Sequence, residues 1–242
     1  MIDVVDFSKC VGLLPKREFV PQNTWLTIGD VLLLKGKFKV GKSLFVQQLM
    51  TAVATGRTWF NEYVGQIKTY GVFCEDDEAK LLHRQYTINE FYKLNMKSPD
   101  LINNVRLLPR TVGDNLLMVF DDKNIGRLTP YFEELLKDLQ SFQPKLVVLD
   151  SASDLFWGNE DNQLHFRQFV QNCCARIARR VNCAVLLCKH DNSEEVEDRD
   201  DKVWHLIKRE SISEKREFYG YGIRRLECYK DKIFHSVGDY FI

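Results

Sequence analysis

Short apolar runs recur through the first 190 positions and alternate with longer stretches in which apolar side chains return every three or four residues. Continuous apolar runs of this length, bounded by polar or turn residues, predict strands covered on both faces. They fall at Val31–Lys35, Tyr70–Cys74, Val105–Leu108, Lys145–Asp150 and Ala184–Lys189. Between them the longer period predicts helices over Lys42–Thr55 and from Asp76 to about Leu94. Thr129 and Pro130 supply an N-cap and a first-turn proline for a helix with Phe132, Leu135, Leu136 and Leu139 on one face. Phe166, Phe169, Val170, Cys173 and Ile177 repeat the spacing in the next. These stripes predict core packing rather than a ligand site. Strand and helix in alternation predict an α/β fold with a largely parallel central sheet flanked by helices.

The pattern changes after His190. Residues 193–201 carry six acidic side chains and one basic, net −5, and predict a solvated loop. Residues 202–232 carry nine basic and five acidic side chains, net +4, interleaved with Trp204, Phe218, Tyr219, Tyr221 and Tyr229. The alternating runs Ile223–Tyr229 and Ile233–Ile242 predict antiparallel strands at the sheet edge. Residues 1–28 predict a lead-in segment with one strand or helix and a turn at Pro21-Gln22-Asn23, leaving 29–242 as the main domain.

Composition narrows the function classes. A chain of 242 residues, 45% hydrophobic and 28% charged, suits one or two globular domains. Thirty-four basic residues balance thirty-four acidic ones, so no overall basic field advertises nucleic acid or an anionic membrane. The longest apolar runs, Leu116–Phe120 and Ala184–Cys188, fall far short of the roughly twenty residues a membrane span needs. Charges at Asp3, Asp6, Lys9, Lys16, Arg17 and Glu18 interrupt any signal-peptide core. Seven cysteines without a C-x-x-C pair predict small buried hydrophobes in a reduced compartment, with no zinc site. The expectation is a cytoplasmic protein without a membrane partner.

Chemistry concentrates first at Gly36-Lys37-Phe38-Lys39-Val40-Gly41-Lys42-Ser43-Leu44, a G-x-x-x-x-G-K-S motif between a predicted strand and a predicted helix. Such a loop turns backbone N–H groups inward, and the helix N-terminus adds partial positive charge. Lys42 then reaches the β- and γ-phosphates of a nucleotide, and the Ser43 hydroxyl ligates Mg²⁺. Leu146–Asp150 is an apolar strand ending in an acid, the pattern that holds the metal's water shell when it follows such a loop, so Ser43 and Asp150 are the expected metal ligands. Hydrolysis also needs a group that orients the attacking water. Glu75 closes the second predicted strand, while Asp76, Asp77 and Glu78 equally suit a helix N-terminus. His190 closes the last central strand, placed to donate to a γ-phosphate.

Taken together, Gly36–Ser43, Glu75-Asp76-Asp77, Leu149-Asp150-Ser151, Asn159-Glu160-Asp161-Asn162 before a helix, and Lys189-His190 resemble, in order and spacing, the RecA-like ATPases. Within them the arrangement is similar to the RepA-type hexameric replicative helicases of plasmids and phages. The resemblance spans about 20–235 and implies a RecA core, with Glu75 as catalytic glutamate, Asp150 as Walker B acid and His190 as sensor histidine. It also implies ATP and Mg²⁺ as cofactors, a homo-oligomer in the form of a ring hexamer, single-stranded DNA as partner, and a bacterial, phage or plasmid setting. The arginine finger acting in trans would be Arg209 or Arg216, and Lys230 with Lys232 resemble the basic pair on the following strand. The chain departs from the family at Asp191-Asn192-Ser193-Glu194-Glu195, acidic where small and basic residues are usual and a poor surface for a phosphate backbone. In the loop Ser153–Gln163, Phe156 and Trp157 are placed either to stack on bases or to anchor the loop in the core. Two other readings stay open: a recombination or strand-annealing ATPase of the same fold, and a nucleotide-gated regulator or small-molecule kinase that never touches DNA.

Overall fold

In a computed structural model of the chain, the structure describes residues 27–59, 65–158 and 162–190, together with the strand backbones at 19–20, 26, 62–63, 203–208, 223–230 and 233–241. The main sheet has eight strands: β1 (Val31–Gly36), β2 (Thr69–Phe73), β3 (Val105–Pro109), β4 (Leu146–Asp150), β5 (Ala184–His190), β6 (Val203–Lys208), β7 (Ile223–Lys230) and β8 (Ile233–Phe241). Their order across the sheet is β8-β7-β6-β1-β5-β4-β2-β3. Every pairing from β6 to β3 is parallel, and β7 and β8 close one edge antiparallel. The architecture is the α/β fold with a largely parallel sheet that the pattern predicts, antiparallel edge included, and the RecA-like core that the resemblance implies.

Period-two alternation in the central strands separates two cores. From β4, Leu146 and Val148 face one layer while Val147 and Leu149 face the other; β5 splits likewise into Ala184, Leu186 and Cys188 against Val185 and Leu187. The first core is filled by α1 (Lys42–Thr55), whose Phe45, Val46, Leu49, Met50 and Val53 are buried, and by Leu81 from α2 (Glu78–Tyr92). Gly71 on β2 lets α1 come close, because a Cβ there would lie 2.5 Å from Phe73 Cε2 and 3.0 Å from the Met50 thioether. A short helix, α3 (Pro99–Asn104), leads into β3.

The second core is roofed by α4 (Pro130–Phe142), where Thr129 caps the helix by accepting from Phe132 N at 3.2 Å and Phe132, Leu135, Leu136 and Leu139 are buried. Beside it run α5 (Gln163–Gln168), a π-helical stretch (Phe169–Cys174) and α6 (Ala175–Val181), end to end. The described cysteines, Cys74, Cys173, Cys174, Cys183 and Cys188, are buried and free. Burial pushes the Cys74 and Cys183 thiols up to about 12, so these are inert core residues. Among the described residues no helix is long and apolar enough to cross a membrane.

Three features differ from the pattern. The second helix starts at Glu78, not Asp76, and β2 ends at Phe73. Met118–Phe120, Gly126–Leu128 and Phe156–Trp157 form a small three-stranded sheet of their own, so the apolar run Leu116–Phe120 contributes a strand outside the main sheet. The turn at 21–23, the acidic loop at 193–201, the motif residues Asn159-Glu160-Asp161, and Arg209, Arg216 and Lys232 lie outside the described residues, as does the side chain of Lys230.

Candidate nucleotide-binding site

The site lies where the carboxyl ends of the parallel strands meet the start of α1, the position at which open α/β sheets gather ligands. β1 ends at Gly36, the loop turns through Lys39 at φ +60° and Gly41 at φ +103°, and α1 begins at Lys42. Gly41 takes the glycine-favouring conformation that a side chain would strain. No side chain caps α1 and no acid sits in its first turn, so its N-terminus keeps its partial positive charge for an anion. Lys42 is buried, and its Nζ donates to Gly36 O at 2.8 Å and Lys37 O at 3.1 Å and lies 3.1 Å from His190 Nδ1. The ammonium is thus folded back across the loop it would share with phosphates. Phe38 is exposed, with its ring 5.4 Å from that of His190 and Lys39 Nζ 5.2 Å above it.

Asp150 ends β4, opposite Phe73 in the register with β2, and is buried. Burial pushes its carboxyl pKa upward; a hydrogen bond with Ser43 opposes this, the nearby Asp76 charge adds to it, and Lys42 and Arg84 oppose it. Hydroxyl and carboxylate therefore meet at the start of α1 as hard oxygen donors. Among the described residues no group of three or more His, Cys, Asp or Glu forms a metal cage. The Ser43 and Asp150 pair instead fits a cation such as Mg²⁺, which takes one or two protein oxygens and completes its shell with phosphates and water.

His190, level with Gly36 in the β5–β1 register, continues the line: its Nε2 lies 3.1 Å from Glu75 Oε1. Lys42, His190 and Glu75, separated by up to 148 positions in sequence, form one hydrogen-bonded row across the strand ends. Glu75 does not belong to the strand. It sits in the turn two residues beyond β2, held there by Cys74 N, which donates to Asp150 O at 2.7 Å. The three acids that follow it divide their work. Asp77 caps α2 by accepting from Lys80 N at 2.8 Å, and Glu78 occupies the first turn. Asp76 is no dipole acid: it is 2% exposed and ion-paired to Lys80 and to Arg84, 2.8 Å away. In the sequence Asp76 reads like its acidic neighbours, because nothing local tells a buried acid from an exposed one.

The loop after β4 splits its two aromatics by strand alternation. Phe156 is buried and stacks on Phe169 at 4.7 Å, while Trp157 is 70% exposed. Trp157 borders an open cleft of about 720 Å³ that also takes in Asp114, Asp121, Asp154, Phe120 and His165. Among the described residues no lysine or arginine lines it.

A family model described as an AAA domain matches residues 3–195. No curated protein matches the chain.

Proposed function

We propose, from the premise that this chain belongs to the AAA-domain family of P-loop ATPases, that it is a RecA-like motor of the RepA type, hydrolysing ATP with Mg²⁺ while acting on single-stranded DNA in replication. The observation that carries the reading is the row Lys42–His190–Glu75, which joins a phosphate-binding lysine to an acid suited to orient water. In this account Lys42 exchanges the Gly36 and Lys37 carbonyls for the β- and γ-phosphates. Ser43 and Asp150 hold the divalent ion, which when bound supplies positive charge to the phosphate oxygens. Glu75 accepts a proton from the attacking water, and His190, between Glu75 and Lys42, registers whether a γ-phosphate is present. An arginine from a neighbouring subunit, Arg209 or Arg216, completes charge stabilisation, so the working form is a homo-oligomer, a ring hexamer by the family resemblance.

One observation favours the second reading, a nucleotide-gated regulator that does not bind DNA. The cleft beside Trp157 presents Asp114, Asp121 and Asp154 where a DNA-tracking loop needs basic side chains. Measuring phosphate release with and without single-stranded DNA separates the two. The motor reading expects stimulation; a rate indifferent to DNA at all protein concentrations selects the regulator. Strand displacement then distinguishes a helicase from a recombination or annealing ATPase of the same fold.

A further inference from the structure

Behind the Lys42–His190–Glu75 row lies a second set of charges that the mechanism above does not use. The carboxylate of Asp76 is almost wholly enclosed and ion-paired with two cations from α2: Lys80 at Oδ1, and Arg84, whose Nη2 lies 2.8 Å from Oδ2 without the geometry of a hydrogen bond. Lys80 is largely exposed, with 58% of its side chain accessible, whereas Arg84 is 13% accessible and continues inward. Its Nη1 donates to Gln47 Oε1 at 3.1 Å. Gln47 is fully buried on α1, one helical turn after Ser43 and therefore on the same face. Gln47 Nε2 in turn donates to Leu81 O and Gln85 Oε1, each at 3.0 Å, fastening α1 to α2. The chain Asp76–Arg84–Gln47 thus links the Glu75 turn to the helix that begins with Lys42 and Ser43.

A buried carboxylate is costly unless cations offset its charge, as Lys80 and Arg84 do for Asp76. Glu75 is not fixed by a strand, since β2 ends two residues earlier, and its side chain is 47% accessible. What fixes the turn is the Cys74–Asp150 backbone bond on one side of Glu75 and the clamped Asp76 on the other. We infer that Asp76, paired with Arg84, is a positioning residue for hydrolysis: it holds the Glu75 carboxylate in line with His190, without touching nucleotide. This rests on the reading of Glu75 as the hydrolytic acid.

The test compares the full-length parent, Glu75→Gln, Asp76→Asn, Arg84→Lys and the double variant Asp76→Asn/Arg84→Met. Three quantities are read: steady-state phosphate release, equilibrium binding of a fluorescent ATP analogue in magnesium-free buffer, and thermal melting. Asp76→Asn is expected to lower kcat by about 10- to 100-fold, the range for losing a supporting contact behind a ligand shell, with metal-free nucleotide affinity within twofold of the parent. Its melting temperature also falls, because Arg84 is left without its counter-charge. The double variant removes both charges, so melting recovers while turnover stays low; Arg84→Lys, which keeps a cation but loses the fork that reaches Gln47, falls between. Turnover recovering together with melting in the double variant would make Asp76 a structural ion pair only and overturn the inference. So would a kcat for Asp76→Asn within threefold of the parent while Glu75→Gln is inactive. If Glu75→Gln is itself as active as the parent, the underlying reading fails instead, and the inference with it.

Discussion

Glu75 and Asp77 sit two residues apart in one turn yet make different contacts, Glu75 with His190 and Asp77 with the start of α2, which makes Glu75→Gln and Asp77→Asn a matched pair. Glutamine keeps the size of Glu75 and an oxygen within reach of His190 Nε2, at 3.1 Å in the parent, but removes the charge that accepts a proton from water. With the side chain about half accessible, the folding cost is that of a solvent-exposed polar contact, about 1 kcal/mol or less. The loss in turnover is that of a general base, about 10² or more, equivalent to roughly 2.7 kcal/mol at the transition state. Asp77→Asn is the reverse case. Asparagine caps a helix about as well as aspartate, so accepting from Lys80 N survives and both stability and turnover stay near the parent. Steady-state phosphate release, nucleotide affinity and melting on the three proteins read all of this. Glu75→Gln should bind ATP with Mg²⁺ and fail to turn it over. An inactive Asp77→Asn beside an active Glu75→Gln would refute the assignment and move the hydrolytic acid to the helix cap.

Lys42→Ala should abolish turnover and weaken ATP binding while the protein stays folded, since alanine is a good helix former at the position that opens α1; unchanged phosphate release would remove the loop from the chemistry. Mixing Lys42→Ala protein with Arg209→Ala or Arg216→Ala protein should restore part of the activity if that arginine acts in trans, a contribution worth about 10³ or more in rate; no recovery with either partner counts against both. Because burial raises the Asp150 carboxyl pKa, the folded chain holds that proton more tightly than the unfolded one, and stability is lost as pH rises from the ordinary carboxylate range through the raised value. Asp150→Asn should therefore melt higher than the nucleotide-free parent at neutral pH, an advantage that shrinks on acidification toward about pH 4, while turnover disappears. Equal melting at both pH values would contradict the burial argument. Leu139→Ala, in the core beneath α4, should cost about 2–5 kcal/mol in chemical denaturation, and an unchanged midpoint would contradict the packing described.

Much of this architecture is legible in the sequence because its strands are covered on both faces. Leu146–Asp150 and Ala184–His190 differ by at most a residue from the runs the pattern predicts, and Lys42–Thr55 and the Thr129-Pro130 helix start coincide with their elements. Lys42, Ser43 and Asp150 are legible because one motif and one strand end place them. Three things are not. Phe156 and Trp157 belong to a strand of two residues, too short to show alternation, so the burial of one and exposure of the other depend on Phe169 and the small sheet. Glu75 reads as a strand residue because Cys74 and Phe73 before it are apolar, whereas pairing with β4 already ends at Phe73. Asp76 reads as one acid among three, and its burial follows from α2 docking on α1 through Gln47 and Arg84, a contact between residues 37 apart in the chain.

The central claim is that this chain is an ATP-driven motor completed by a neighbouring subunit and engaged by single-stranded DNA. It is tested most directly by the specific rate of phosphate release from ATP and Mg²⁺, measured across a range of protein concentrations with and without single-stranded DNA. The account predicts a weak basal rate that rises with protein concentration, rises further with DNA, and vanishes in Lys42→Ala. A specific rate that is independent of both protein concentration and DNA would contradict it.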